Sequence, residues 1–460
     1  MKLTLLTLIP LVGGVLTLRW GRKAALAASL AALAFVGVLW AMFDSSATGL
    51  QFVERASWVP SLGMEYSLGA DGLGLLMLAL SALLTPFAMA ASWKIKDNLY
   101  FALTLFVEAG LFGTFTAQNF AHWFIFWELS LIPAFFLIKL WGGPKASRAA
   151  FQFFLYTMVG SVTMLAAFIA LYASTGVFDF AQLSKSGHPT MLIFLGVFLG
   201  FAVKVPLVPF HTWLPDAYAE APTGTSMLLT GAMSKMGVYG FLRILVPIFP
   251  EQLKAAQTPL LWLAAATIVL PAAAAFAQRD LKRIVAYSSI NHLGYCMLGI
   301  FAATPAAYNG VVLQMFNHGI TAAALFYFVG LIEERGGSRD LYHYGGLRQV
   351  APVFCGLMGI TVFASVGLPG LNGFVGEFLI YQSALPQAGW PALVSVLGLL
   401  LTAIFYLTLL QRVFTGLLPA QWRHWPDLTA RERWIAAPAI ALMFALGVYP
   451  QPLLRLLNLS

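Results

Sequence analysis

Charge is scarce in this sequence. Only 10% of its 460 residues are Asp, Glu, Lys or Arg, whereas 60% are hydrophobic and mean hydropathy is +0.82. A chain of this length needs far more polar surface to dissolve as a globule, so a water-soluble fold is excluded. Cysteine is nearly absent too: Cys296 and Cys355 are the two in the chain. Two thiols fall short of the four an ordinary iron–sulfur cluster takes, and no Cys-rich spacing marks structural zinc. No cofactor or metal site is therefore expected in this chain, and redox chemistry, if any is involved, belongs elsewhere. Low-complexity and linker-like stretches are also missing, which points to a single membrane domain over 1–460 with no catalytic globule attached.

What is present is a succession of apolar runs. A membrane helix takes roughly 20 mostly apolar residues. Fourteen such runs are expected, near 2–18, 24–43, 72–93, 99–117, 120–141, 149–173, 190–212, 223–248, 258–277, 283–303, 309–332, 350–385, 391–417 and 431–457. The fold class is thus an all-α polytopic membrane protein. The first run is expected as a retained span, because no A-x-A-like cleavage site ends it. The segment from Asp44 to Asp71 is long enough for an ordered external loop.

The net charge of +8 is explained by topology rather than by nucleic acid, for which the chain shows no partner signal. Taken alternately, the loops collect Arg19, Arg22, Lys23, Lys94, Lys96, Lys145, Arg148, Arg279, Lys282, Arg283, Arg335, Arg339, Arg348, Arg412, Arg423, Arg431 and Arg433 on one side. The other side has Lys2, Arg55, Lys185, Lys254 and Arg455. This positive-inside bias puts both termini on the non-cytoplasmic side. Lys139 and Arg243, near span ends, read as snorkelling side chains. Lys204 and Lys235 lie deeper.

Two spans are interrupted. The seventh carries Lys204-Val-Pro-Leu-Val-Pro209 and the twelfth Gly367-Leu-Pro-Gly-Leu-Asn-Gly373. Each break frees carbonyls that hydrocarbon cannot satisfy, so each is expected to line a polar cavity. Pro206 and Pro369 are 163 positions apart, and the spans starting near Asn98 and Thr258 are offset by almost as much. Two inverted five-helix repeats follow, spans 4–8 (98–248) and 9–13 (258–417), after helices 1–3 (1–97) and before helix 14 (431–457). Inverted repeats with a discontinuous helix in each half characterise secondary transporters; the alternative is that Pro and Gly are merely common in membrane helices.

Glu108, Glu128, Lys204, Lys235 and Glu377 are expected at depth, with His292 and His318 as titratable companions. A charge at a helix centre costs roughly 2.5–3.5 kcal/mol on insertion scales, so these positions read as functional. Burial and a neighbouring carboxylate act oppositely on a lysine's hold on its proton. Glu128, in FIFWELSLIPAFFLI, and Lys204 therefore form either a switchable pair or a fixed structural ion pair. Lys235 is placed to accept the proton next, His318 to relay it, and Glu377, just after the second break, to release it. Either histidine also reads as a hydrogen-bonded packing residue, and Asn291, beside His292, falls 163 positions after Glu128. Glu108 reads as a structural carboxylate or a secondary acid. Asp71 suits a helix N-terminus; His211, Asp216 and Glu220 suit interface and capping roles.

With these residues in view, the chain resembles the antiporter-like membrane subunits of respiratory complex I over essentially its whole length. The resemblance rests on FIFWELSLIPAFFLI, KVPLVPFHTWLPDAYAEAP, SKMGVYGFLR, AQRDLKRIVAYSSINHLGY and GLPGLNGFVGEF. It implies a fourteen-helix fold with inverted repeats and a path of protonatable residues, onto which Glu128, Lys204, Lys235 and Glu377 fall by position. Glutamate rather than lysine at Glu377 is similar to the M-type subunit, called D in photosynthetic complexes. The chain ends soon after span fourteen, without the long lateral helix of the L-type.

The implied function is proton translocation in a complex I-type NADH or ferredoxin:quinone oxidoreductase. The chain would be a non-catalytic subunit driven by iron–sulfur clusters, flavin and quinone in partner subunits. L- and N-type paralogues, small K-type subunits, a hydrophilic redox arm and lipids are the implied partners, in a bacterial inner membrane or a thylakoid-type membrane. Alternatives are a subunit of a multi-subunit sodium/proton antiporter, an M-like subunit of a membrane-bound hydrogenase or CO2-hydrating complex, and a scaffold with vestigial charges.

Overall fold

Helix starts are written into the loops. Asp71, Asp97, Asn119, Thr190, Asp280, Thr304 and Thr429 each stand at an N-cap and accept an amide of the first turn, satisfying donors the helix itself cannot. The structure, a computed structural model, describes residues 1–185 and 189–457. Among the described residues ten helices are long and apolar enough to cross a membrane, and the protein is an integral membrane protein. They coincide with ten of the expected runs. The seventh and twelfth runs are broken, the eighth alternates α- and π-helix, and the fourteenth opens with the charged Ala-Arg-Glu-Arg.

The chain divides into two units. The first comprises, of the described residues, 1–185, 189–213, 220–258 and 455–457. Its helices are α1 (Lys2–Trp20), α2 (Arg22–Met42), α3 (Gly72–Ala91), α4 (Asn98–Thr116), α5 (Phe120–Trp141), α6 (Ala146–Thr175) and α7 (Met191–Lys204). After the break come α8 (Trp213–Glu220), α9 (Thr223–Leu228) and α10 (Lys235–Gly240). Residues 214–219 of α8 belong to the second unit. α4 packs along α1 and α5, and α6 along α7. Ile132, Phe136 and Leu140 of α5 and Phe151, Leu155 and Val159 of α6 are left exposed, the outward apolar side that a lipid-embedded bundle keeps.

The expected external loop is more regular than its sequence announces. It folds into an antiparallel hairpin, β1 (Gln51–Val59) and β2 (Met64–Ala70), turned at Gly63. Glu54 on β1 accepts the amides of Leu3 (2.7 Å) and Thr4 (3.2 Å) and the Thr4 hydroxyl. The hairpin thus supplies the acid that the N-terminus of α1 lacks in its own first turn.

The second unit, 214–219 and 259–454, holds α11 (Gln257–Phe276), α12 (Leu281–Ala302), α13 (Pro305–Gly336), α14 (Pro352–Val366), α15 (Asn372–Ala388), α16 (Trp390–Phe414) and α17 (Ala430–Val448). α13 is wholly buried across its most apolar stretch and packs on α12 and α15. At one end, Lys282 pairs with Glu333 at 2.7 Å, Arg339 with Asp280 at 3.0 Å, and Arg283 with Asp216. Burial pushes the Asp280 carboxyl above the usual carboxylate range against the pull of Arg339.

Each unit contains a small backbone clip of the same kind. In the first, Asn119 bridges Asp179, so that the amide of Phe120 reaches Phe178 O and that of Phe180 reaches Gln118 O. In the second, Asp280 bridges Asp340 through Leu281 to Arg339 O and Leu341 to Arg279 O. Both residues of the second clip lie 161 positions after those of the first. All four are N-caps.

Candidate functional site

In the first unit the apolar run Met191–Phe201 carries α7 to its last residue, Lys204, where Pro206 and Pro209 end it. The carbonyls freed there are answered locally: Leu207 N donates to Ala202 O at 2.7 Å, and the Trp213 indole to Val203 O at 3.1 Å. Lys204 is 3% exposed. Its Nζ stands 5.3 Å from the Trp127 ring centroid and 5.9 Å from that of Phe153. Glu128, next to Trp127 on α5, interacts with Lys204 electrostatically, yet among the described residues no ion pair within 4.0 Å joins them. Its Oε1 is buried with no hydrogen-bond partner among the described residues. Beside it the Ser161 hydroxyl accepts from Trp127 Nε1 at 3.0 Å. The pair is held near, but not closed.

Lys235 is fully buried. It opens α10 between two π-helical segments, Leu229–Met233 and Phe241–Leu245. A π-turn displaces carbonyls from the regular ladder and recurs at functional positions. Lys235 Nζ donates to Thr230 O at 2.6 Å, which also accepts from Ser234 Oγ at 2.8 Å.

Glu108 on α4 is fully buried, and neither of its oxygens has a hydrogen-bond partner among the described residues, although the Thr85 side chain lies close. Arg243 meets Asp71 at 2.5 Å, where Asp71 also caps α3 through Gly74 N. Lys139 covers the rings of Phe135 and Phe151 at 5.5 and 5.0 Å. Glu220 accepts the Lys145 amide and Asp216 pairs with Arg283, while His211 leaves Nδ1 without a partner among the described residues.

In the second unit α14 ends at Gly367, whose φ of 81° suits glycine, and α15 resumes at Asn372. Between them Asn317 Nδ2 donates to Asn372 O at 2.8 Å, tying α13 to the restart. One turn into α15, Glu377 Oε1 meets His292 Nδ1 at 2.9 Å and accepts from Gln314 Nε2 at 3.0 Å. The ring centroids of His292 and His318 are 5.1 Å apart. Glu377, His292 and His318 are each at most 5% exposed. Asn291, adjacent to His292, donates to Ile268 O at 2.7 Å and so locks α12 to α11.

The structure therefore gathers the named residues into Glu128 with Lys204, and Glu377 with His292 and His318. Lys235 and Glu108 have environments of their own. The aromatic walls of Lys204, the Thr230 carbonyl and Gln314 escaped sequence reasoning. Gln314 had a signal: it lies four residues before His318, on one helical face. No group of three or more His, Cys, Asp or Glu able to hold a metal occurs among the described residues.

Residues 117–404 match the family model described as NADH:quinone oxidoreductase/Mrp antiporter, transmembrane. NADH-quinone oxidoreductase subunit M of Rhodobacter capsulatus is 39% identical over 432 residues, covering 90% of this chain and 84% of that one. A chain of respiratory complex I from Thermus thermophilus superposes with a TM-score of 0.92 at 31% identity, over 100% of this chain and 98% of that one. A chain of the Mrp complex from a Dietzia species shares the fold, with a TM-score of 0.88 at 23% identity and coverage of 99% and 95%.

Proposed function

Since this chain belongs to the NADH:quinone oxidoreductase/Mrp antiporter membrane family and is of the subunit M type, we propose that it moves protons across the membrane in a complex I-type NADH or ferredoxin:quinone oxidoreductase. The observation that carries the reading is the buried Glu377–His292 hydrogen bond, packed against His318 beside an open helix. Buried titratable groups in contact, next to backbone that cannot face lipid, are what a proton path requires and a packed core avoids.

Glu128 and Lys204 form the loading pair. Their separation, held by the aromatic cage of the lysine, allows Glu128 to approach or retreat, and each movement changes how firmly Lys204 keeps its proton. Lys235 accepts from Lys204, with the π-turn carbonyl of Thr230 stabilising its ammonium. His318 and His292 serve Glu377, which releases the proton; Glu108 is a secondary acid. The electron chemistry lies in partner subunits that hold iron–sulfur clusters, flavin and quinone, and this subunit is non-catalytic. Its neighbours in the membrane arm are L-, N- and small K-type subunits. We place fourteen crossings with inverted repeats over 98–248 and 258–417, which the equally spaced clips support, and both termini on the non-cytoplasmic side of a bacterial inner or thylakoid-type membrane.

The test is Glu377→Gln in the native complex. The amide keeps an acceptor for Gln314 and His292 but cannot release a proton. Assembly should persist while protons translocated per electron fall in sealed vesicles; an unchanged ratio would remove Glu377 from the path.

A further inference from the structure

The two oxygens of Glu377 differ. Oε1 meets both His292 Nδ1 and Gln314 Nε2. Both hydrogen bonds that Glu377 makes among the described residues thus fall on Oε1, while a Cβ placed on Gly367 would stand 3.0 Å from Oε2. Oε2 therefore reaches the glycine that ends α14, where Gly367 and Gly370 both take left-handed backbone with φ of 81° and 94°. His292 is an ambiguous partner, because its Nδ1 donates in one tautomer and accepts in the other. Gln314 is not. Its own Oε1 lies over Gly376, 2.7 Å from where a Cβ would be. With Glu377 ionised, flipping the amide would set oxygen against oxygen at Glu377.

We propose that Gln314 is a positioning residue for proton release, holding Oε1 of Glu377 in the hydrogen bond with His292 and turning Oε2 to the helix break at Gly367. The proposal rests on the relay role given to Glu377 above. A carboxyl oxygen that already accepts from a fixed donor keeps its acceptor role, so the exchangeable proton sits on Oε2. On release the Oε2–H bond breaks, its electron pair stays with the carboxylate, and the proton passes to water at the break. Oε1 keeps the Gln314 donor in both states, so the carboxylate discharges without swinging away from His292. Glycine at 376 lets α13 approach closely enough for Gln314 to reach, since a Cβ there would also meet Gln314 N at 2.8 Å.

The experiment is infrared difference spectroscopy on the assembled complex, taken between redox states. In the unaltered complex the protonated-carboxyl band that belongs to Glu377 is the one that vanishes in Glu377→Gln. In Gln314→Met, which keeps length but cannot donate, that band should move to higher wavenumber because its carbonyl oxygen loses a hydrogen bond, and protons per electron should fall. Gln314→Asn draws the amide back by one methylene and carries the same expectation should the methionine variant not assemble. A band unmoved in these variants would overturn the role of Gln314 and leave Glu377 in place. The absence of any Glu377-dependent band in the unaltered complex would instead overturn the release role itself, and that of Gln314 with it.

Discussion

Replacing Lys204 with methionine separates a working charge from a structural one. The side chain is 3% exposed, with Nζ over two aromatic rings at 5.3 and 5.9 Å. Each cation–π contact is worth about 1–2 kcal/mol when desolvated, so the substitution forfeits roughly 2–4 kcal/mol. It also removes the desolvation penalty of an ammonium, which is several kcal/mol even after relaxation. Glu128, half-buried on α5, can take up a proton once the lysine is gone. The opposing changes nearly cancel, and Lys204→Met should alter stability by less than about 2 kcal/mol in either direction. At about 2–4 °C per kcal/mol for chains of 150–250 residues, and less for longer ones, the melting temperature should move by under roughly 5 °C. A closed structural ion pair would behave otherwise, since removing one partner of such a pair costs about 3–5 kcal/mol. The assay is thermal unfolding of the purified complex in detergent, paired with proton uptake per electron in vesicles. Loss of uptake with stability kept is the expected result. A large drop in melting temperature with uptake intact would make Lys204 a structural charge and not a proton carrier.

Three further substitutions probe other parts of the account. Asp71→Ala removes both a helix cap, worth about 1 kcal/mol, and the partner of Arg243; because both side chains keep about a fifth of their surface open, the total should be roughly 2–4 kcal/mol. Asp71→Asn should recover the cap alone, and thermal unfolding that ranks the two variants equally would show that the cap contributes nothing. Gly376→Ala drives a methyl into Gln314 on α13; it should cost about 1–3 kcal/mol by overpacking and lower pumping, and normal pumping in that variant would detach α13 from the release site. Glu377→Lys sets an ammonium against the Gln314 amide donor, so proton release measured in vesicles should suffer more than assembly measured by native gels; unimpaired coupling would show the exit is elsewhere.

Much of the fold is legible because hydrocarbon tolerates so few patterns. Long apolar runs separated by Lys, Arg and Asp mark helices, and the Pro-Gly interruptions after Lys204 and at Gly367 mark where they open. Other features left no one-dimensional trace. The π-segments around Lys235 use the same residues an α-helix would, so composition does not separate them. The hairpin strands Gln51–Val59 and Met64–Ala70 mix charged and apolar residues and alternate too weakly to read as strands, the first largely open and the second buried over its last four residues. Arg243 and Asp71 are 172 positions apart, and such a pairing is fixed by tertiary packing alone. Of the site, Glu128, Lys204, Lys235 and Glu377 stand out as charges in apolar runs. Neutral Gln314 and the π faces around Lys204 carry no charge to betray them, though they decide what the charges face.

The proposed function is proton translocation by this subunit as part of a redox-driven complex. The most direct test is to tag the chain in its native host, purify its assembly in mild detergent, identify the co-purifying subunits by mass spectrometry, and follow proton uptake on reconstitution while NADH or ferredoxin reduces quinone. Redox subunits in the preparation and proton uptake that tracks quinone reduction are the results predicted. Small hydrophobic antiporter subunits without a redox partner, with sodium/proton exchange in place of quinone reduction, would contradict the account.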